Sequence, residues 1–314
     1  MKKKRYFSRT VCFLLCAVFA LLFLLPTVLT ITNSFMTQSE ITASYGQVFE
    51  NANDGKSYIS KTIELKFIPD KVSFTQYFTV LLKSPDYLLK FWNSVILTAP
   101  IVFAQLMVAS IAAYGFTRWR GKVRDSLFFF YVILMLMPYQ VTLVPNYLVS
   151  DWLKILNTRW AIFLPGAFAP FSVFLLTKFM RRIPMAVIES AKIDGATQMR
   201  TFLSIVIPIS KPLFATIALF LCFGYWNDWF LSSLYISNNK LISLQALLNN
   251  IMRSLEYMAK NPAAGVSLQQ YKAQMPSESV RMAIAIVIVI PIACAYPFFQ
   301  KYFISGLTIG AVKG

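Results

Sequence analysis

The sequence predicts an all-α membrane protein with six transmembrane helices, and three observations carry that expectation. Of its 314 residues 57% are hydrophobic and only 14% are charged, well short of the roughly 25% charged residues that cover a soluble domain. Six apolar segments reach the roughly 20 residues that a helix needs to cross a bilayer. The basic residues, which give a net charge of +17, fall in short runs between those segments. That placement suits membrane orientation, not nucleic-acid binding.

The first span is expected over Val11–Asn33. It follows Lys2, Lys3, Lys4 and Arg5, its apolar core exceeds the about 7–15 residues of a cleaved signal, and no Ala-x-Ala follows Pro26, so it reads as a retained helix. Residues 34–92 are polar and mixed, and with the first helix they form an N-terminal domain, 1–92, whose second part is extracytoplasmic. The other spans, Asn93–Thr117, Ser126–Val149, Trp160–Phe179, Leu213–Leu231 and Met282–Phe303, make up a second domain, 93–314. Pro26, Pro138, Pro165 and Pro291 lie inside spans, where neighbouring helices can satisfy the freed carbonyls. Between the third and fourth spans, Trp152, Leu153, Ile155 and Leu156 stand at helical spacing and predict a short interfacial helix within 146–159.

Six spans put both termini on one side, and charge puts that side in the cytoplasm. Lys2 to Arg5, then Arg118, Arg120, Lys122 and Arg124, then Arg181, Arg182, Lys192 and Arg200 all occupy inside segments, where the acids are Asp125, Glu189 and Asp194. The residues also exclude chemistry. There is no His, which removes the usual general base and the commonest zinc ligand. Cys12, Cys16, Cys222 and Cys294 lie in or beside apolar runs and read as thiols, so neither a disulfide nor a metal site is expected. The nearest approach to a phosphate loop, Gly115 to Gly121-Lys122-Val123, has one residue too many and Val where a hydroxyl must meet Mg²⁺. The chain is not expected to be an enzyme.

The inside loop between spans four and five, 184–208, carries the strongest signal. Pro184 can open a helix at its first turn. Met185, Ile188 and Ala191 then share one face, and Gly195 is placed to stop the helix in the left-handed conformation. A second amphipathic piece, Thr197 to Val206, runs into Pro208 and Pro212, where a new span is expected to begin. The result is a helix–Gly–helix elbow bearing Glu189 and Asp194. A plain connector has no need of Phe202, Leu203, Ile205 and Ile207 clustered beside charges, so the elbow reads as a docking element.

This stretch resembles the permease subunits of bacterial ABC importers, whose signature is Glu-Ala-Ala, three residues, Gly, nine residues, then Ile-x-Leu-Pro. Here Glu189-Ser190-Ala191 is followed by Gly195 and by Ile205-Val206-Ile207-Pro208, with Ser190 and Ile207 the two departures. Asp194-Gly195-Ala196 and the ending Lys301 to Gly314 match the carbohydrate-uptake branch. The resemblance covers roughly residues 90–314 and is strongest to the maltose-type second permease. It implies a type I importer permease fold in which Glu189, Ala191, Asp194, Gly195, Ala196, Ile205 and Pro208 form the coupling elbow gripped by an ATPase. The implied partners are a second permease, two ATPase subunits that hold the ATP and Mg²⁺, an extracytoplasmic solute-binding protein and the surrounding lipid. The cargo would be an oligosaccharide whose length and charge stay open. A non-sugar solute, an ATP-independent carrier or channel, and a membrane scaffold are the other readings.

For the solute path, Trp226, Asn227 and Asp228 at the end of span five stand out, because a carboxylate beside a membrane helix is costly unless it faces a cavity or a partner. An interfacial aromatic belt with a solvated Asp228 explains them equally well. Gln105 and Asn93 are path or interhelical groups, as are Gln140 and Asn146. In the family that this sequence resembles, the last outside loop meets the binding protein, which here points to residues 232–281 and to Asn249, Arg253, Tyr257 and Gln270.

Overall fold

The computed structural model describes residues 2–51, 65–119, 121–260 and 275–311, and among them every regular element is helical. In chain order these are α1 (Lys2–Asn33), α2 (Gln38–Asn51), α3 (Thr75–Phe78), α4 (Pro85–Arg118), α5 (Lys122–Leu136), α6 (Tyr139–Trp152) and α7 (Trp160–Gly166). There follow α8 (Pro170–Met180), α9 (Met185–Ile193), α10 (Gln198–Thr201), α11 (Ile207–Trp226), α12 (Phe230–Tyr235), α13 (Leu244–Lys260) and α14 (Glu278–Ala311). Among the described residues five stretches are long and apolar enough to cross a membrane: Arg9–Asn33, Pro85–Arg118, Trp160–Met180, Gln198–Trp226 and Glu278–Gln300. The pair α5 and α6 makes a sixth only if counted as one span. Phe129, Phe130 and Leu136 on α5 are exposed, and only its Phe128 and Tyr131 side is part-buried, against Phe116 and Phe174, as on a helix with one lipid-facing side.

Prolines decide where these helices break. The expected single span over Ser126–Val149 is instead two helices bent by 102°. Met137 adopts an extended conformation (φ −70°, ψ 129°), the geometry that a following proline imposes, and Pro138 has no N–H to continue the ladder. A milder break separates α7 from α8, where Ala169 is extended before Pro170. Pro26 and Pro291 lie in unbroken helices, as expected. Two further prolines leave π-helical turns before them: Ser84 donates to Thr79 ahead of Pro85, and Ile207 donates to Phe202 ahead of Pro208, each five residues back. The helix expected within 146–159 stops at Trp152. Lys154 and Asn157 then take positive φ (57° and 60°), and the Asn157 N–H donates to the Tyr235 carbonyl (2.8 Å). That long-range bond holds the segment as a turn.

The chain divides into two compact units. In the first, residues 1–88 with 248–290, the polar segment after α1 is ordered by specific bonds. Gln76 donates to the Ser34 and Met36 carbonyls, Phe35 packs edge-on to Phe74, and Gln38 bonds Glu278 and Ser279. Burial alone would raise the Glu40 carboxyl, but the Asp70 N–H and the Lys66 ammonium outweigh it and hold it below its ordinary value. The second unit, residues 89–247 with 291–314, holds two apolar clusters. One joins Ala109, Val173, Leu176 and Met180 to Ile188, Phe202 and Val206. The other joins Leu97 and Ile101 to Ala161, Ile162, Tyr235 and Ile242.

Candidate functional site

The elbow is held by specific backbone and side-chain bonds at each turn. Pro184 is the N-cap of α9 (φ −54°, ψ 134°), and the helix ends at Ile193, with Asp194 as its C-cap and Gly195 next. Gly195 takes φ 77°. Its N–H donates to the Lys192 carbonyl (3.0 Å) and the Ala196 N–H to the Ala191 carbonyl (2.9 Å), the paired bonds of a Schellman stop. The Thr197 hydroxyl then accepts from the Arg200 N–H (3.3 Å) and starts α10, a cap that sequence reading passed over although the residue type signals it. Contrary to expectation, no span begins afresh at Pro208 or Pro212. The chain stays helical from Gln198 to Trp226, and the missing N–H of Pro208 is absorbed by the π-helical turn Phe202–Val206.

One face of the elbow is fixed in the core. Ile188, Ala191, Phe202 and Val206 are buried, and the Phe202 ring lies 4.9 Å from that of Tyr114, whose hydroxyl donates to Gln198 Oε1 (2.9 Å). Ile205 is half-buried and Pro208 exposed. The other face is open. Ile193 is 85% exposed, Met199 and Leu203 are exposed, and Met185, expected on the face of Ile188 and Ala191, is exposed too, because it lies at the first residue of α9, at the rim of the buried face. Glu189 and Asp194 are also exposed, and among the described residues neither carboxylate makes a hydrogen bond or ion pair. A short stiff helix with a fixed turn, a buried face and a mixed apolar and acidic outer face can receive a rigid-body push; it has no catalytic group.

At the other end of α11 the structure brings together residues far apart in sequence. Tyr139, Thr142, Asn146, Gly166, Tyr225, Asp228 and Tyr235 line a cavity of about 370 Å³. Gln105, Ser172, Phe220, Tyr225 and Asp228 line a second of about 330 Å³, so Tyr225 and Asp228 stand between the two. The Asp228 carboxylate accepts the Leu231 N–H (3.0 Å) at the start of α12. Gly166 is required here: a Cβ would lie 2.9 Å from Ile101 Cγ2 and 3.1 Å from the Tyr225 hydroxyl.

The remaining sequence-derived positions fare differently. Gln105 is buried, donates to Ser172 Oγ (2.7 Å) and lies 3.4 Å from the Tyr225 hydroxyl, at the wall of the second cavity. Asn93 is fully buried; its amide donates to the Lys240 and Ile242 carbonyls (2.7 and 3.1 Å) and accepts from Arg159 (2.7 Å). It is a clamp on the 240–242 turn. Trp226 is buried edge-on to Phe91 (5.8 Å), and Asn227 caps α11 through the Phe223 carbonyl (3.0 Å). Neither lines the two cavities. Asn249, Arg253 and Tyr257 lie one turn apart along α13, with Arg253 and Tyr257 exposed, and Gln270 lies outside the described residues. Tyr139, Tyr225 and Tyr235 were missed by sequence reading; phenols in otherwise apolar stretches were the available signal.

Residues 105–309 match the model of the family described as binding-protein-dependent transport system inner membrane component. Protein LplC of Bacillus subtilis (strain 168) is 33% identical over 79% of this chain and 82% of its own. The polygalacturonan/rhamnogalacturonan transport system permease protein YtcP of the same organism is 32% identical over 95% of each chain. A chain from the crystal structure of a bacterial ABC transporter involved in the import of the acidic polysaccharide alginate matches with a TM-score of 0.77, covering 96% of this chain and 98% of that one at 23% identity, a likeness of fold. The family match takes in the elbow, α11 and both cavity walls, and the chain belongs to the inner-membrane components of binding-protein-dependent transport systems, as a non-catalytic permease subunit.

Proposed function

We propose that this subunit is one half of the membrane channel of an ATP-driven oligosaccharide importer, pushed from the cytoplasm through its elbow. In this reading α5 and α6 count as one broken span, giving six, with both termini cytoplasmic, in agreement with the run of Arg118, Lys122, Arg124, Arg181 and Arg182 on one side. A second permease completes the channel. Two ATPase subunits supply the hydrolysis, each elbow of the permease pair resting on one of them, with Glu189 and Asp194 as polar anchors and Ile193 and Met199 as apolar contacts. A solute-binding protein delivers the sugar at the opposite face, against α13 around Asn249, Arg253 and Tyr257. The sugar assignment draws on the printed names of relatives, among them YtcP and the galactooligosaccharides transport system permease protein GanQ, 29% identical over the whole chain.

The observation that carries the reading is the elbow: its Schellman stop fixes direction, its inner face is locked to the core, and its outer face is left without a partner among the described residues. A carrier driven by an ion gradient has no use for such a lever. The test is uptake of oligosaccharide by proteoliposomes holding the whole complex and its binding protein, with and without internal ATP. Glu189→Ala, which removes a charge-assisted anchor of about 1.5–3 kcal/mol, should cut uptake and ATPase retention by about tenfold while leaving membrane insertion intact. Uptake independent of ATP, or unchanged in the variant, would overturn it.

A further inference from the structure

We infer that the paired cavities at the end of α11 are a solute subsite that takes neutral, hydroxyl-rich sugar units and rejects uronates, with Asp228 as the discriminating group. The inference rests on the importer reading and deepens it.

The chemistry of the lining argues the class of ligand. Tyr139, Thr142, Asn146, Tyr225 and Tyr235 offer hydroxyls and an amide that both donate and accept. The rings of Tyr139 and Phe230 stand edge to face at 6.4 Å on the same wall, offering an apolar surface for sugar C–H groups. A volume of about 370 Å³ with few convergent polar groups in an apolar frame lies at the low end of ligand pockets. Among the described residues the carboxylate is the one charged group in either lining, and no Lys or Arg joins it. Burial pushes the Asp228 carboxyl above its ordinary value, and the Leu231 N–H that it accepts at the first turn of α12 opposes that rise by favouring the ionised form. An ionised carboxylate only accepts, which suits the hydroxyl donors of a neutral pyranose. A second carboxylate brought within about 5 Å of it, with no cation to share, would bind about a hundredfold more weakly at the effective dielectric of such sites. The likeness in fold to a transporter of acidic alginate therefore does not extend to ligand charge at this position.

The experiment is equilibrium binding of a neutral galacto-oligosaccharide and of a galacturonate oligomer of equal length to the intact permease–ATPase complex in nanodiscs, without binding protein. The neutral sugar should bind at least about tenfold tighter. Asp228→Asn keeps an acceptor at the α12 cap and removes the charge, so it should bring the two affinities within about threefold by strengthening the uronate alone. Tyr139→Phe, which removes one exposed hydroxyl, should weaken the neutral sugar severalfold. Equal or tighter uronate binding, a ratio unmoved by Asp228→Asn, or no binding of either sugar would overturn the assignment. ATP-dependent uptake by the same wild-type complex, measured in parallel with its binding protein, separates that failure from failure of the importer reading: the first leaves uptake intact and the second abolishes it.

Discussion

The elbow and the cavity lie at opposite ends of one helix and are built in opposite ways. The elbow is backbone: a proline start, a left-handed Gly195 and two carbonyls taken up within six residues. The cavity is side chain: phenols from α6, α11 and α12, an amide from α6 and a carboxylate from the link between α11 and α12 converge over a small-residue wall from α7. Between them the chain is helical from Gln198 to Trp226, about 43 Å of continuous rod at 1.5 Å per residue. Had the helix stopped at Pro208, the elbow would be a separate lever on a flexible joint. As it stands, the part pushed and the part bearing Tyr225 belong to one helical stretch, in which the π-helical turn Phe202–Val206 interrupts the α-helical register close to the elbow. Stiffness belongs at the elbow, and adaptable hydrogen bonding belongs at the cavity.

The sharpest way to break this division is to cut the elbow loose. Phe202→Ala removes a buried ring that packs on Tyr114 and should cost about 3–5 kcal/mol of stability, seen as a lower thermal midpoint of the purified complex with loss of ATPase-coupled uptake. If coupling persists at wild-type level in the variant, the inner face does not carry the push. A smaller effect is expected at the other end. Gly166→Ala forces a methyl against Ile101 and Tyr225 and should cost about 1–3 kcal/mol. Its signature differs: uptake should fall because Tyr225 is displaced, while ATPase association stays as in the wild type. Loss of ATPase association in Gly166→Ala would mean that the two ends are not separable.

The same contrast explains what could be read from the chain alone. The elbow was legible because Pro184, Gly195 and the spacing of Ile188 and Ala191 act within a few residues, and each occupies the predicted role. The break at Met137–Pro138 was not legible: nothing adjacent distinguishes Pro138 from Pro26, which sits in an unbroken helix. The turn at 153–158 depends on a bond from Asn157 to Tyr235, and no local pattern of Trp152 and Ile155 reports a partner so distant. Asn93 was flagged as a polar residue in a span, yet its three bonds reach Arg159, Lys240 and Ile242. Of the cavity's polar lining, Asp228 and Asn146 were marked in advance and the tyrosines were not. Cavities are assembled by tertiary packing, so a sequence shows their charged members sooner than their shape.

The smallest expected effect on the fold is also the most discriminating. Ile193 is the last residue of α9 and 85% exposed, so Ile193→Ser removes almost no burial and should change stability by less than about 0.5 kcal/mol. An isolated subunit gains nothing from a branched apolar side chain held out at the tip of a rigid turn; its exposure is a cost unless another surface covers it. If an ATPase groove covers it, full burial of an isoleucine contributes about 1.5–3 kcal/mol to that contact, and its loss should weaken ATPase retention by about tenfold or more. Co-purification against salt and thermal melting, measured on one preparation, give both numbers. A variant that melts as the wild type but sheds its ATPase makes the outer face an interface. One that keeps its ATPase leaves the elbow's hold to Glu189 and Asp194 alone, and the comparison then turns on charge instead of apolar contact.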